Sequence, residues 1–320
     1  ADTQSGSGVN HSLAGSTLPG NLNVGDQLGE VPEGTLYRAR YSTGLEVAVV
    51  VLRAASDDGT HGSVALLRRQ QQLRQALQIK HPNVAAVYEL GETSDGLVYV
   101  VLEQLAGELL SSILAGQGAL PLPKALDLCR QIAAGLQAAH QVGLIHGNLS
   151  PSTILVTEAD GQTRVKLIRF SSSVLPAEEL PAPIHRTTVS TAYASPEPLS
   201  GYPPDERSDV FSLGAVLHHL LTGTPPAGSR IGQVPRAMRR VLTRALARDP
   251  AQRFQTITEF ADSLEHAALV NRSLIRRAVG ASLVILCLAL LWLSFNWWRP
   301  SQEREPTPKG SSSSAKGRSP

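Results

Sequence analysis

The change from strand-like to helical patterning along the chain is the feature that most constrains its fold. Between about residues 23 and 104, short runs rich in β-branched and aromatic residues, such as "EVAVVVLR" and "LVYVVLEQ", alternate with Gly, Asp and Ser turns. One helical run, from about residue 62 to residue 79, interrupts these strands. From about residue 109 to residue 269 the apolar residues recur mainly at helical spacing. A small sheet-rich half followed by a larger helical half predicts an α+β domain.

Both ends of the chain are polar. Residues 1–22 are rich in Gly and Ser and are predicted to form a disordered leader, because such a composition cannot bury a core. Residues 299–320 are rich in Pro and Ser and are predicted to form a disordered tail. The net charge of the whole chain is only +2, so no strong electrostatic field favours nucleic acid, and no nucleic-acid partner is expected.

The segment "AVGASLVILCLALLWLSFNWW", from Ala278 to Trp298, contains no charged residue. As a helix it would be about 31 Å long, which matches the thickness of a bilayer's hydrocarbon core. Trp residues crowd its C-terminal end and Arg residues precede its N-terminal end, as is typical of anchors at the membrane interface. A buried core helix is the alternative interpretation. The segment is predicted to be a single transmembrane helix, and the membrane is therefore an expected partner.

Orientation in the membrane follows from the absence of an export signal. Basic residues flank the apolar segment on both sides, so their count does not decide the orientation. The residues ahead of the domain contain no apolar stretch typical of a secretory signal peptide. We therefore expect a single-pass protein of the inner cell membrane, with the globular domain in the cytoplasm and the short tail outside.

Several short motifs follow one another between about residues 23 and 269. They are "LGEVPEGTLYRAR", "EVAVVVLR", "KHPNV", "LIHGNLSPSTIL", "VKLIRFSSS", "YASPE", "RSDVFSLGAVLHHLLTGTPP" and "RALARDPAQRF". In this order they resemble the landmarks of a bacterial, eukaryotic-like Ser/Thr protein kinase domain, from its Gly-rich loop through its catalytic loop to its late helices. The resemblance implies a bilobal protein-kinase-like fold over residues 23–270, with a small β-rich N-lobe and a larger α-helical C-lobe.

The positions that carry the family's chemistry hold other residues. A protein kinase binds the phosphates with a Lys–Glu pair, holds Mg²⁺ with an Asn and an Asp, and places a carboxylate base at the substrate hydroxyl. By the resemblance, Val50 stands at the position of the Lys and Gln72 at the position of the Glu. Asn148 stands at the position of the base, and Ser150 at that of the Lys that follows the base. Thr153 stands at the position of the metal-binding Asn, and Arg169 at that of the metal-binding Asp. None of these side chains is the one that the family's mechanism uses.

The positions that support the fold match the family. His146 and Phe170 correspond to packing residues behind the catalytic loop. Glu197 and Arg253 correspond to an ion pair that ties the helical lobe together, and Asp209 corresponds to the residue that braces the backbone of the catalytic loop. A buried pair of opposite charges is costly to break, so the resemblance implies a structural role for these residues.

The contrast between the two sets of positions predicts a fold without its reaction. Loss of a general base typically costs a factor of about 10²–10⁴ in rate. Arg169 would also repel Mg²⁺, because two like unit charges 4 Å apart interact by about 4 kcal/mol at an effective dielectric constant near 20. The sequence therefore predicts a catalytically inactive, membrane-anchored pseudokinase that is not an enzyme and that binds neither ATP nor Mg²⁺.

Such a domain would act as a cytoplasmic scaffold or regulatory binding module for a protein partner whose identity the sequence does not indicate. Two alternatives stay open at this point. In the first, the chain is a nucleotide-binding switch that needs no metal and uses Arg169 as a phosphate ligand. In the second, the chain is an active Ser/Thr protein kinase with atypical residues.

Overall fold

The structure is a computed structural model, and it describes residues 13–31, 34–52, 71–159, 161–170, 192–197, 201–226 and 234–298. Residues 1–12 of the predicted leader, the predicted tail and the first part of the predicted helical run lie outside the described residues. The remainder of that run is helical over residues 71–76. The chain divides into two compact units, residues 1–268 and residues 269–320.

The N-terminal part forms a six-stranded antiparallel sheet with the strand order β1-β2-β3-β4-β6-β5. Its strands are β1 (Thr17–Leu18), β2 (Leu22–Val31), β3 (Gly34–Tyr41), β4 (Glu46–Leu52), β5 (Val87–Glu92) and β6 (Val98–Glu103). Strand β4 is apolar along almost its whole length because both of its faces are covered. Val49 lies in the cluster on one face, and Val50 lies in a second cluster on the other face with Leu73 of the helical segment.

The ordered domain begins earlier than the predicted boundary at residue 23. Leu13, Leu18 and Leu22 are buried in the cluster that covers one face of the sheet, and β1 pairs with β2. These leucines are spaced among Gly, Ser and Pro residues, so average composition gives no sign of them. Residues 13–22 therefore belong to the folded domain, because burial of the three leucines offsets the polarity of the residues between them.

The larger part is helical and surrounds the main core. Its helices are α1 (Leu110–Gln117), α2 (Leu122–His140), α3 (Glu206–Thr222) and α4 (Arg236–Ala245), and a small sheet is formed by β7 (Glu108–Leu109), β8 (Ile154–Ala159) and β9 (Gln162–Leu167). Helix α3 is mostly buried, is capped by Asp205 at its start and by Gly223 at its end, and the φ of Gly223, 72°, is left-handed. This arrangement confirms the predicted α+β fold with a small β-rich lobe and a larger helical lobe.

The linker before β5 joins the two lobes through the backbone of β9. The Ala85 amide donates to the Leu167 carbonyl at 2.9 Å, and the Leu167 amide donates to the Asn83 carbonyl at 2.8 Å. The Asn83 side chain donates to the Val165 carbonyl at 2.9 Å and to the side-chain oxygen of Gln131, on α2, at 3.1 Å. The lobes therefore meet along a fixed line of hydrogen bonds, and this line ends next to the segment that carries Arg169.

The last helix, α5 (Ile257–Trp298), starts within the first compact unit and continues into the second. In its second part the apolar side chains described between Leu283 and Leu293 are more than half exposed. Among the residues that the structure describes, no helix is long and apolar enough to cross a membrane.

Candidate active site

The catalytic-loop region, residues 144–153, is held by one buried carboxylate of helix α3. Asp209 accepts the His146 amide at 2.8 Å and the Gly147 amide at 2.8 Å, using a different oxygen for each. Nε2 of His140, at the end of α2, lies 2.8 Å from the same carboxylate. Gly147 has a φ of 67°, which most other residues adopt only with strain. Asp209 thus sets the backbone immediately before Asn148, in the role that the resemblance implies.

Burial sets the charge of His146. The side chain is fully buried, and its ring lies 4.7 Å from the ring of Phe170. Burial lowers the pKa of His146, and the nearby Asp209 carboxylate only partly opposes this effect. The imidazole is therefore neutral at pH 7, and it serves as a packing residue between the loop and Phe170.

Thr153 stabilises the loop with its hydroxyl. This oxygen accepts a hydrogen bond from the Ser150 amide at 3.0 Å. The hydroxyl can donate to the Ser150 carbonyl at 3.0 Å or to the Asn148 carbonyl at 3.3 Å. These contacts form a capping box at the 3-10 turn Pro151–Thr153. Because Thr153 is buried and its hydroxyl is already engaged, its contacts in this structure are with the loop itself.

Arg169 lies in a strained stretch between two anchored neighbours. Its φ is 61°, a left-handed value that is uncommon for a residue with a side chain. The Ile168 amide donates to the Thr153 carbonyl at 3.0 Å, and the Phe170 ring contacts the His146 ring at a tilt of 45°. Strain of this kind persists only where the surrounding structure determines the conformation, and it is often found at functional sites. The structure thus places Arg169 beside the catalytic loop.

The position that corresponds to the family's phosphate-binding Lys lies in an apolar cluster. Val50 is 7% exposed and pairs across the sheet with Leu36 on β3 and Val100 on β6. The same cluster includes Leu73, which is the neighbour of Gln72 in the helical segment. The position of the family's Lys therefore lies in an apolar cluster, where an apolar group fits better than a charged one.

Two further polar residues lie where the lobes join, and sequence reasoning missed both. Lys166 on β9 donates to the Glu103 carboxylate at 2.8 Å, and the same carboxylate oxygen accepts the Ala86 amide at 3.0 Å. The side-chain oxygen of Gln104 is buried, and no hydrogen-bond partner for it is found in the described part of the chain. A lysine between the apolar residues Val165 and Leu167 was the available sequence signal for Lys166; nothing in the sequence marks Gln104.

The structure also brings together the predicted ion pair of the helical lobe. Arg253 is fully buried and donates two hydrogen bonds of 2.7 Å, one to each carboxylate oxygen of Glu197. Its remaining N–H groups donate to the backbone carbonyls of Arg207, Ala247 and Arg248. Burial by itself raises the pKa of Glu197, but the hydrogen bonds from Arg253 and Ser208 outweigh burial and lower it.

Comparison with known proteins identifies the class to which this fold and site belong. Residues 22–278 match the family described as the protein kinase domain, and the chain belongs to that family. The structure also resembles the crystal structure of the kinase domain of PknI from Mycobacterium tuberculosis, with a TM-score of 0.62 and 27% sequence identity over 79% of this chain and 98% of that one.

Curated relatives place the chain among bacterial serine/threonine-protein kinases. It is 32% identical to the serine/threonine-protein kinase PknB of Mycobacterium leprae over 67% of this chain and 37% of the relative. It is 29% identical to the serine/threonine-protein kinase PknE of Mycobacterium tuberculosis over 70% of this chain and 42% of the relative. The chain spans less than half the length of these curated relatives.

These findings correct the functional predictions. The predictions of an inactive scaffold, of a chain that is not an enzyme and of a chain that binds neither ATP nor Mg²⁺ are wrong, because the chain belongs to a family of kinases and its relatives are named as such. The alternative of a metal-free nucleotide switch fails on the same ground. These predictions inferred that phosphate transfer is absent from the identities of a few side chains. The identities of those side chains do not measure phosphate transfer.

The described residues fit the two implied ligands unequally. The apolar side chains around Val50 suit the apolar faces of a flat base. Mg²⁺ prefers carboxylate and other oxygen ligands. Arg169 is a cation and the hydroxyl of Thr153 is engaged within the loop, so these two side chains do not fit Mg²⁺. No step of the reaction is assigned to a metal at this place.

Proposed function

We propose that the chain transfers the terminal phosphoryl group of ATP to a Ser or Thr hydroxyl of a protein substrate. Membership of the protein kinase family supports this proposal. The observation that carries it is the hold of Asp209 on the backbone of the catalytic loop, because this contact presents Asn148 in a defined geometry. In the reaction a bond forms from the substrate oxygen to phosphorus, the bond to the ADP oxygen breaks, and the hydroxyl proton passes to solvent.

Asn148 determines how fast such an enzyme works. Its amide can accept a hydrogen bond from the substrate hydroxyl and orient it, but an amide does not take up the proton at neutral pH. Positioning alone supplies a large part of the catalysis in phosphoryl transfer. We therefore propose a slow kinase, about 10²–10⁴-fold below one with a carboxylate at this position.

The test is phosphoryl transfer by the purified full-length chain. Wild type is incubated with isotopically labelled ATP and a mixture of Ser- and Thr-containing peptides, and products are identified by mass spectrometry. Asn148→Ala is the matched control, because it keeps the backbone held by Asp209 and removes the amide. Transfer by wild type that falls in this variant supports the proposal. An equal background in both proteins, or no transfer at any protein concentration, refutes it.

We also propose that residues 278–298 anchor the domain in the inner cell membrane with the kinase domain in the cytoplasm. The uncharged sequence of this segment and the exposed apolar side chains between Leu283 and Leu293 support the proposal. Cys287 lies within the segment, and Cys129 is buried in the folded domain. A membrane-impermeant maleimide should label Cys287 only after detergent is added. Labelling in intact membranes contradicts the anchor.

A further inference from the structure

Helix α4 carries a row of arginines on its exposed face. Arg236, Arg239, Arg240 and Arg244 are all exposed, and they recur at spacings of three and four residues, so they share one side of the helix. Met238 and Leu242 point the other way, into the main core. The helix is therefore fastened by its apolar side and presents a rigid basic face, here called the arginine face.

Part of this charge is already balanced. Arg244 donates to the Glu259 carboxylate at 2.6 Å, and Arg239 donates through Nε to the Val234 carbonyl at 2.9 Å. Within the described part of the chain, Arg236 and Arg240 form no ion pair. A surface with an excess of guanidinium groups matches phosphate oxygens, since the guanidinium fork binds phosphate with two parallel hydrogen bonds.

The chain itself limits how far the end of the first compact unit can lie from a membrane that holds residues 278–298. The first compact unit ends at Ala268, and the uncharged segment begins at Ala278. The residues between them belong to helix α5 and span about 15 Å. A domain tethered this closely meets the headgroups at a high effective concentration, so weak contacts add up.

We infer that the arginine face docks on the anionic phosphate headgroups of the membrane that anchors the chain. This inference rests on the proposed membrane anchor. A lipid surface is favoured over nucleic acid because the face is one helix wide, lacks aromatic residues for stacking, and belongs to a chain of low net charge. Docking would fix the orientation of the kinase domain relative to the membrane.

The magnitude follows from the number of arginines. Each basic side chain near an anionic surface favours binding by about a factor of five. Removing three of them should therefore lower the ratio of docked to free domains by about a hundredfold. The effect should weaken as salt rises, because screening shortens the reach of the surface potential.

The experiment uses the full chain in nanodiscs. Thr243 is exposed on the same helix, and Thr243→Cys in a Cys287→Ala background takes a fluorophore there, while Cys129 is buried and burial raises the pKa of its thiol. Quenching by headgroup-spin-labelled lipid reports contact. We expect quenching in nanodiscs of phosphatidylcholine mixed with phosphatidylglycerol, and little in phosphatidylcholine alone.

Variants separate charge from packing. Replacing the three arginines at 236, 239 and 240 by Gln should abolish the quenching, and replacing them by Lys should retain most of it. The matched control removes three exposed arginines elsewhere, through Arg38→Gln, Arg40→Gln and Arg130→Gln, and should leave the quenching unchanged. Quenching that ignores lipid charge, or that falls equally in both Gln variants, overturns the inference.

Failure of the anchor is recognised separately, because accessibility of Cys287 in intact membranes reports it directly. In that case the labelled chain is added to vesicles of the same two compositions at low salt. Quenching by the anionic vesicles alone, lost in the Gln variant of the arginine face, would support docking without an anchor. Its absence there would overturn docking as well.

Discussion

Arg253 offers the sharpest test of what holds the helical lobe together. Its guanidinium group is fully buried and all of its N–H groups are used, in two bonds of 2.7 Å to Glu197 and three to backbone carbonyls. Arg253→Met keeps much of the side-chain volume but leaves the Glu197 carboxylate with Ser208 as its remaining side-chain donor. Removing one partner of a buried pair typically costs about 3–5 kcal/mol.

The matched control is Arg130→Met. Arg130 also forms an ion pair at 2.7 Å, with Asp127, but these side chains are 64% and 43% exposed. A solvent-exposed pair is worth about 0–1 kcal/mol. For a domain of this size, 3–5 kcal/mol corresponds to a fall in melting temperature of about 10 °C. The melting temperatures of both variants are measured by thermal unfolding of the full chain, with both variants in one detergent. Each kcal/mol shifts the melting temperature of a domain of this size by about 2–4 °C. If the melting temperature of Arg253→Met lies within about 2–3 °C of that of Arg130→Met, the reasoning is refuted.

Three other predictions concern the site and its surroundings. Asn148→Asp should raise the turnover number by at least about tenfold by supplying a base, measured by peptide phosphorylation; an unchanged rate would contradict the role given to Asn148. The pKa of Glu197 is lowered in the folded state, so its carboxylate stabilises the fold above the unfolded pKa, and this contribution is lost as pH falls through the folded pKa. The unfolding midpoint of Glu197→Gln should therefore change less with pH in the acid range than the midpoint of wild type. Lys166→Met should cost about 1–3 kcal/mol in chemical denaturation, because Glu103 is left with one backbone donor, and a cost no larger than that of Arg130→Met would count against it.

Local patterns were sufficient for the architecture of the two lobes. The β4 sequence "EVAVVVL" is apolar throughout because the strand is covered on both faces, and the amphipathic pattern of α4 matches its buried and exposed sides. The order of the motifs also assigned Asp209, Glu197 and Arg253 to positions by resemblance; in the structure Asp209 bonds to the catalytic-loop backbone and Arg253 bonds to Glu197. These inferences succeeded because they depend on short-range spacing and on the order of elements.

Features that depend on distant contacts were missed. Leu13 and Leu18 stand in a polar segment, and only their burial against the sheet makes them part of the domain. The pair of Lys166 and Glu103 joins residues far apart in the chain across the junction of the lobes. The prediction of inactivity went wrong for a related reason, since it treated residue identities as if they determined what the folded site does.

By itself the sequence determined the order of the strands and helices, the kinase-type frame and the identity of each side chain at the site. Only the tertiary structure decided what these side chains contact. It places Val50 in an apolar cluster formed by several strands and Leu73 of the helical segment, engages the hydroxyl of Thr153 within its own loop, and holds Arg169 in a left-handed conformation beside Phe170. The physical reason is that burial and hydrogen-bond partners arise from residues brought together by folding, whereas helical and strand periodicity can be read from neighbours along the chain.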